Sequence, residues 1–236
     1  MKLLAFETAT EACSVALYLD GEVRERFELA PRRHAELALP WADALMAEAG
    51  LARTQLDAVA VGSGPGAFTG VRLAIALAQG IALALDRPVV PVSTLAVLAT
   101  RAPADGPARI LAAIDARMGE VYAAAFARQG DGTLRPLDAE RVLPPGAVAL
   151  PGGHDGEWQG VGTGFAASDG VLAQRLQPLL ARIDPSALPR ASDLARLAVA
   201  AFARGEALPP ERVEPAYLRD NVALTLAEQQ ALRAAK

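Results

Sequence analysis

The stretch VAVGSGPGAFTGVRLAIALAQG, residues 59–80, runs from an apolar segment through a loop with three glycines and a proline into a segment of helical character. With the apolar residues 89–92 that follow, it predicts a strand, a helix and a second strand that form a parallel βαβ unit. A glycine-rich turn before a helix can present its backbone N–H groups to a phosphate. This loop lacks the Lys-Ser/Thr pair of a P-loop, and its glycines do not fit the dinucleotide-binding pattern. The sequence therefore favours a tight turn that lets the helix pack close to the sheet, with a phosphate cradle as the alternative.

The residues before this unit predict an antiparallel opening. Residues 3–7 are a short apolar run, and residues 14–19 and 22–29 alternate apolar with polar side chains. Asp20 and Gly21 supply a tight hairpin turn between the last two segments. We therefore expect three antiparallel strands ahead of the βαβ unit.

The opening pattern returns in the second half of the chain. ILAAID mirrors LLAFE, EVYAAAFA mirrors SVALYLD, and a GDG turn takes the place of Asp20-Gly21. Glu7 and Asp115 end equivalent strands, 108 residues apart (115 − 7). Such a repeat predicts an α/β protein with two lobes of similar topology and mixed sheets. We expect an N-terminal lobe at residues 1–104 and a more irregular C-terminal lobe at residues 105–236.

Three further segments have helical spacing. Residues 34–49 place apolar side chains on one face, with Pro40 either in the first turn or at a kink. Residues 171–183 and 192–203 follow the same period, and Ser192 is the expected N-cap of the last helix.

Composition excludes several classes of protein. The 236 residues are 52% hydrophobic and 21% charged, which is typical of a globular chain. The net charge of −4 and the lack of a basic run argue against unaided nucleic-acid binding. Cys13 is the only cysteine, so no internal disulfide forms. The first residues do not resemble a signal peptide, and the apolar helix falls short of the roughly 20 residues of a membrane span. We expect a cytoplasmic protein that does not bind membranes.

The layout of two lobes, each opened by a hairpin, resembles that of actin-like ATPases and sugar kinases. Their hairpins carry an Asp followed closely by Gly, because only Gly lets the backbone approach a phosphate. Here the first turn reads ETATEA and the second DARMGE, so both are interpreted as degraded phosphate sites. As an alternative, Glu7 and Asp115 could hold a metal ion between the lobes. The two histidines, His34 and His154, have no metal-pair spacing, and Ser63 is not in a nucleophile elbow.

The helix of residues 70–85 is apolar nearly all the way round, and Gly70, Ala74, Ala78 and Ala82 form a small-residue ridge along it. A helix that is apolar on every face must be covered on every face. The ridge packs either within its own lobe or in a helical bundle with a partner, and the residues alone leave both open.

Several segments occur together in the order and spacing of one family. They are LLAFETATEACSVAL, RRHAELALP, GSGPGAFTGVRLAIALAQGIA, AAIDARMGEVYAA and EPAYLRDNVA. On these motifs the chain is identified as a member of the TsaB (YeaZ) family over essentially its whole length. Glu7 stands where Asp is usual, and Ala67 where Ser is usual, which speaks further against a nucleotide role of its own.

The resemblance implies the actin-like ATPase (ASKHA, ribonuclease H-like) fold and a non-catalytic subunit. Its partner would be TsaD, which holds the metal and nucleotide; with the ATPase TsaE, the pair transfers a threonylcarbamoyl group from its adenylate to the tRNA adenosine next to the anticodon. The resemblance also implies that this chain has no catalytic residue, cofactor or metal of its own. ATP or ADP would at most be shared at the interface with the partner, and tRNA would be contacted only through the complex. A catalytic relative carries His-x-x-x-His on the first helix, whereas here His34 is followed at the fourth place by Ala38.

The family pairs through helices of the N-terminal lobe, and homodimers use much the same surface when the subunit is alone. On this chain, that surface predicts an interface that also includes two polar residues expected to face the cleft, Arg117 and Glu120. Its other predicted residues are His34, Leu73, Ala74, Leu77, Ala78 and Ile81. The competing hypothesis is an ATP-dependent small-molecule kinase that uses Glu7, Asp115 and the loop of residues 62–70. A metallopeptidase is a third reading, which no histidine pair supports.

Overall fold

The computed structural model describes residues 1–152 and 157–219, which form two mixed sheets flanked by helices. Its strands are β1 (Lys2–Glu7), β2 (Ala12–Leu19), β3 (Glu22–Leu29), β4 (Ala58–Gly62), β5 (Val89–Val92), β6 (Arg109–Arg117), β7 (Glu120–Arg128), β8 (Leu134–Pro136), β9 (Arg141–Leu143), β10 (Trp158–Val161) and β11 (Leu180–Asp184). Its helices are α1 (His34–Glu48), α2 (Phe68–Leu85), α3 (Thr94–Ala99), α4 (Ala167–Leu176) and α5 (Ala191–Ala203). His154 and the last four residues of EPAYLRDNVA lie outside the described residues.

The first sheet has the strand order β3-β2-β1-β4-β5. The pairs β1–β2 and β2–β3 are antiparallel, whereas β4 is parallel to β1 and β5 is parallel to β4. The turn between β2 and β3 is made by Asp20 and Gly21, both with positive φ, as the hairpin turn requires. The predicted antiparallel opening and the βαβ unit are both confirmed.

Both faces of this sheet are covered. Alternate residues of β1 point to opposite sides, so Leu4 and Phe6 pack beneath α1 and α2 while Leu3 and Ala5 pack beneath α5. A sheet with two covered faces buries near-continuous apolar strands, and every residue of β4 is buried.

The second sheet repeats the first. Its order is β11-β10-β6-β7-β8, with β6 and β7 antiparallel and with β10 and β11 parallel to β6; a sixth strand, β9, also pairs with β7. Strand β6 therefore takes the place of β1, β7 of β2, β8 of β3, β10 of β4 and β11 of β5. The predicted duplication is present.

The boundary at residues 104 and 105 separates the two sheets but not the helices that cover them. Helix α3 precedes the boundary, yet Leu95 and Leu98 belong to the core of the second sheet with Ile110. Helix α5 follows the boundary, yet Leu194 and Ala198 pack in the core of the first sheet. Each sheet is thus completed by a helix from the other half of the chain.

Two local predictions are wrong. The helix expected over residues 171–183 ends at Leu176, because Pro178 cannot continue it; Gln177–Leu179 form a short 3-10 turn, and β11 follows. Ser192 does not cap α5, which begins at Ala191. The cap comes from the first sheet instead, where Ser14 Oγ accepts from Ala191 N at 2.9 Å and Glu25 Oε1 accepts from Ser192 N at 3.0 Å.

Candidate functional site

The glycine-rich loop lies directly against the first hairpin turn. A methyl group placed on Gly66 would lie 2.3 Å from the backbone oxygen of Ala9, and one on Gly70 would lie 2.0 Å from that of Thr8. Ala67 N donates to Ala9 O at 2.7 Å, and Thr8 Oγ1 donates to Gly70 O at 2.7 Å. The glycines serve close packing of loop and turn, which confirms the prediction of a tight turn.

This packing covers the turn where an actin-like ATPase would bind phosphate. Thr8, Ala9 and Thr10 are buried, and the backbone oxygen of Thr10 is 3.0 Å from His34 Nε2. A phosphate would have to displace the loop of residues 62–70 to reach the backbone N–H groups of the turn. The arrangement does not fit a phosphate cradle.

Glu7 is enclosed by the same loop. Its Oε1 accepts from Ala9 N at 2.9 Å and its Oε2 from Thr94 Oγ1 at 3.2 Å, and a methyl group on Gly62 would lie 2.1 Å from Oε2. Burial raises the pKa of Glu7 to about 7, although hydrogen bonds from Ala9, Thr94 and Thr8 act in the opposite direction. The side chain is an internal hydrogen-bonding group and does not face a cleft.

Asp115 is also engaged within its own turn. Its Oδ1 accepts from Arg117 N and its Oδ2 from Arg117 Nη1, both at 2.8 Å. Among the residues that the structure describes, no cluster of three His, Cys, Asp or Glu side chains could hold a metal ion. The described residues therefore offer no set of ligands for a metal ion between Glu7 and Asp115.

Helix α1 begins at His34, and its first turn is tied to the hairpin through the contact of His34 with Thr10. The fourth place after His34 is Ala38, which is fully buried in the core. Neither a second histidine nor space for one exists there, so α1 cannot supply a paired metal ligand.

The inner face of α2 packs on the first sheet. Gly70, Val71, Ala74, Ile75, Ala78 and Ala82 are buried in the core together with residues of β1 and β4. The small-residue ridge therefore packs within its own lobe. The prediction that Ala74 and Ala78 contact a partner is wrong, because both are covered by the chain's own sheet.

The opposite face of α2 is apolar and open. We call it the outer stripe, and its members, all partly or fully exposed, are Leu73, Ala76, Leu77, Gly80, Leu83 and Ala84. Leu83 is 60% exposed. Soluble helices place polar residues on such a face, so an uncharged stripe of this length marks a contact surface. Of the predicted interface, Leu73 and Leu77 belong to this stripe and Ile81 lies beside it; Leu77 and Ile81 are both partly buried against the core.

By length and composition alone, α2 is also apolar enough to cross a membrane. It has 18 residues with a mean hydropathy of 1.7, and a third of it is buried. The buried third is the inner face that packs on the first sheet, so α2 is a core helix with one open side.

A segment near the C-terminus, residues 208–219, runs beside α2, and we call it the strap. Leu208 pairs with Val89, and Gln79 Nε2 donates to the backbone oxygens of Pro210 and Val213 at 2.8 and 3.2 Å. The strap thus fixes the edge of the outer stripe. Part of the strap belongs to the family motif EPAYLRDNVA, for which the sequence predicted no role.

The strap ends against the turn between β6 and β7. Arg219 Nη2 contacts Glu120 Oε2 at 2.5 Å and donates to Ala116 O at 3.2 Å. Glu120, predicted to contact a partner subunit, is thus paired within the chain, whereas Arg117 is exposed. An open depression of about 590 Å³ lies between this turn, the strap and Val142.

Comparisons with known proteins agree with this architecture. The sequence profile of the TsaD family, described as tRNA N6-adenosine threonylcarbamoyltransferase, matches residues 27–226. The chain is 44% identical over 230 residues to the "tRNA threonylcarbamoyladenosine biosynthesis protein TsaB" of Escherichia coli K12, covering 94% of this chain and 96% of that protein. Its identity to the protein of the same name from Haemophilus influenzae is 38% over 230 residues, covering 94% and 95%. The solved structure of YeaZ from Pseudomonas aeruginosa matches with a TM-score of 0.82 at 46% identity, covering 92% of this chain and 99% of that one.

The duplicated sheets, each opened by an antiparallel hairpin and continued by parallel strands, define a two-lobed protein of the actin-like (ASKHA, ribonuclease H-like) class. Within that class, the chain belongs to the TsaB family, also called YeaZ.

Proposed function

We propose that this protein is a non-catalytic, activating subunit of the complex that makes threonylcarbamoyladenosine in tRNA. Two relatives that match over nearly their whole length are named as biosynthesis proteins of this modification. The observation that carries the proposal is the outer stripe of α2, an uncharged helical face without a covering element among the described residues. Burying such a face against a second protein removes apolar surface from water, which drives association.

The degraded hairpin turns support a non-catalytic role. The loop of residues 62–70 covers the first turn, Glu7 is enclosed, and Asp115 is paired with Arg117. Nucleotide chemistry needs open backbone N–H groups and ionised carboxylates for a metal. These features favour the function of a scaffold subunit over that of an ATP-dependent kinase.

The partner that we propose for the outer stripe is TsaD, the family's threonylcarbamoyltransferase, whose own family profile matches this chain. Two proteins of shared ancestry can pair through equivalent helices, and a second copy of this chain would use the same stripe when TsaD is absent. TsaE would join this pair, tRNA would bind through the assembled complex, and any ATP or ADP would lie at the shared interface. The assembly would act in the cytoplasm.

The test is size-exclusion chromatography with light scattering of this protein, alone and mixed with TsaD of the same organism. Threonylcarbamoylation of tRNA is assayed in the same mixtures. We expect a heterocomplex, and activity only when both subunits are present. Absence of a complex, together with ATP turnover by this chain alone, would favour the kinase.

A matched pair of variants locates the interface. Leu83→Arg places a charge on the outer stripe, and Val171→Arg places the same charge on α4, where Val171 is 42% exposed. Both sites are open to solvent, so both variants should fold. We expect only Leu83→Arg to lose the heterocomplex, and equal loss by both variants would argue against the stripe.

A further inference from the structure

Large side chains are exposed to solvent beyond the N-terminal end of the outer stripe. Phe68, at the start of α2, is 68% exposed, and Tyr217, on the strap, is 62% exposed. Met118, at the tip of the β6–β7 turn, is 81% exposed. We call Phe68, Arg72, Tyr217 and Met118 the aromatic band. Exposed aromatic, Met and Arg side chains that lie together have the composition of the centre of a protein interface.

Arg72 holds the two aromatic side chains together. Its guanidinium carbon lies 3.3 Å from the centre of the Phe68 ring and 5.0 Å from that of the Tyr217 ring. Nη1 donates to Phe68 O at 3.0 Å, and Nη2 donates to the Tyr217 hydroxyl at 2.5 Å. Arg72 contacts no carboxylate among residues 1–152 and 157–219, so no ion pair within these residues neutralises its positive charge. The cation is preorganised by stacking and left open to an anionic group.

The strap connects this pair to Met118. Arg219 follows Tyr217 by two residues, and its Nη1 lies 3.8 Å from Met118 Sδ. Arg117 and Met118 have φ of +62° and +56°, a left-handed conformation that L residues rarely adopt. Strained residues of this kind persist where their surroundings hold them, and here the contacts of Asp115 and Arg219 do so. Met118 is therefore presented to solvent by a fixed turn.

We infer that the aromatic band is a second docking surface. It binds a partner protein at a carboxylate of that protein and at the apolar side chains that flank the carboxylate. The carboxylate pairs with Arg72, and the apolar groups pack on Phe68, Tyr217 and Met118. The band is continuous with the outer stripe, because Arg72 lies one turn before Ala76 on the same side of α2. The inference therefore rests on the proposed function and assigns the band to the same partner.

The charges favour a protein over RNA as the occupant. Arg219 is paired with Glu120 and Arg117 with Asp115, so of the three arginines around the band Arg72 alone has no carboxylate partner within the described residues. Nucleic-acid binding requires several cations that neutralise phosphates, and the whole chain carries a net charge of −4. One cation between apolar side chains fits one carboxylate.

The experiment measures the dissociation constant of the full chain with TsaD for Arg72→Gln, Arg72→Glu and Met118→Ala. Arg196→Gln, on α5 at the opposite face of the first sheet, is the matched control. We expect about tenfold weaker binding for Arg72→Gln, a larger loss for Arg72→Glu and about fivefold for Met118→Ala, with the control unchanged. Affinity of the wild type should fall with added NaCl more steeply than that of Arg72→Gln.

The outcomes separate this inference from the proposed function. If all Arg72 and Met118 variants bind TsaD like the wild type while Leu83→Arg does not, the band is not an interface and the stripe still is. If Leu83→Arg also binds normally, the proposed function fails as well. Binding of tRNA by the isolated chain that is lost in Arg72→Gln would overturn the protein partner and identify the band as an RNA contact. Since Met118 is almost fully exposed, its variant remains a test even if an Arg72 variant is unstable.

Discussion

Ala76 and Ala78 lie two residues apart on α2 and face opposite ways, so they test the orientation of the helix. Ala78 is fully buried beneath the sheet, whereas Ala76 is exposed on the outer stripe. The same substitution at both positions, Ala→Glu, should destroy different properties. We expect Ala78→Glu to destabilise the fold and Ala76→Glu to prevent the complex with TsaD.

The size of the first effect follows from the cost of burying a carboxyl group. A fully buried Glu has a pKa of about 8–9 instead of about 4.3. At pH 7 the carboxyl then stays protonated in the folded state, at a cost of about 4 kcal/mol relative to the ionised unfolded state. Overpacking adds about 1–3 kcal/mol, giving about 5–7 kcal/mol, which is comparable to the whole stability of many domains. Because the folded pKa is the higher one, the loss should shrink as the pH falls towards the unfolded pKa.

Ala76→Glu leaves the fold intact, because an exposed substitution changes stability by about 0.5 kcal/mol or less. A carboxylate desolvated in an apolar interface costs about 3 kcal/mol or more, which weakens association at least about 100-fold. Urea unfolding followed by circular dichroism measures the first effect, and titration calorimetry with TsaD measures the second. A stable Ala78→Glu variant, or an Ala76→Glu variant that binds TsaD normally, would refute the orientation of α2 and the role of its outer stripe.

Three further predictions concern the loop, the carboxyl group that it encloses and the outer stripe. The folded pKa of Glu7, about 7 against an ordinary 4.5, lies above the unfolded one, so its contribution to stability is complete below pH 4.5 and is lost as the pH rises to 7. Wild type should lose about 3 kcal/mol of unfolding free energy across that window, whereas Glu7→Gln should not, and parallel pH profiles would contradict this. Gly70→Ala should cost about 3 kcal/mol or more in urea unfolding, because its methyl group meets the Thr8 backbone oxygen at 2.0 Å; wild-type stability would show that the loop does not pack as described. Gly80→Ala should gain about 0.5–1 kcal/mol and raise the unfolding temperature, since its methyl group would have open space, and a lower unfolding temperature would contradict an open stripe.

Local patterns in the sequence were sufficient for the strands of the first sheet. The alternation in β3 and the apolar run of β5 gave both strands with the bounds that the structure shows. The repeat of these patterns after residue 108 was sufficient for β6 and β7 of the second sheet, but not for β10, nor for β11, which lies partly in residues expected to be helical. Such signals depend on neighbours along the chain, which a single sequence contains.

The face that α2 turns inward could not be predicted in the same way. Its apolar residues surround the helix, so the periodicity gives no preferred side, and Ala78 and Ala76 look alike in the sequence. The cap of α5 by Ser14 and Glu25 and the pairing of Arg219 with Glu120 join residues about 100 or more positions apart. No local pattern records such contacts. The sequence therefore predicted that Glu120 contacts a partner, because it could not show the pairing of Glu120 with Arg219.

The exchange of helices between the two halves also decides when the protein can fold during its synthesis. The first sheet is complete in sequence at Val92, but the face formed by Leu3 and Ala5 stays uncovered until α5, which ends at Ala203, has left the ribosome. At about 5–20 residues per second, this interval of about 110 residues lasts roughly 5–20 s. During that time a nascent chain exposes an apolar sheet face that only its own later residues can cover. Ribosome-bound chaperones would meet this chain with its first lobe half covered, and separately expressed halves would each lack the helix that closes their sheet.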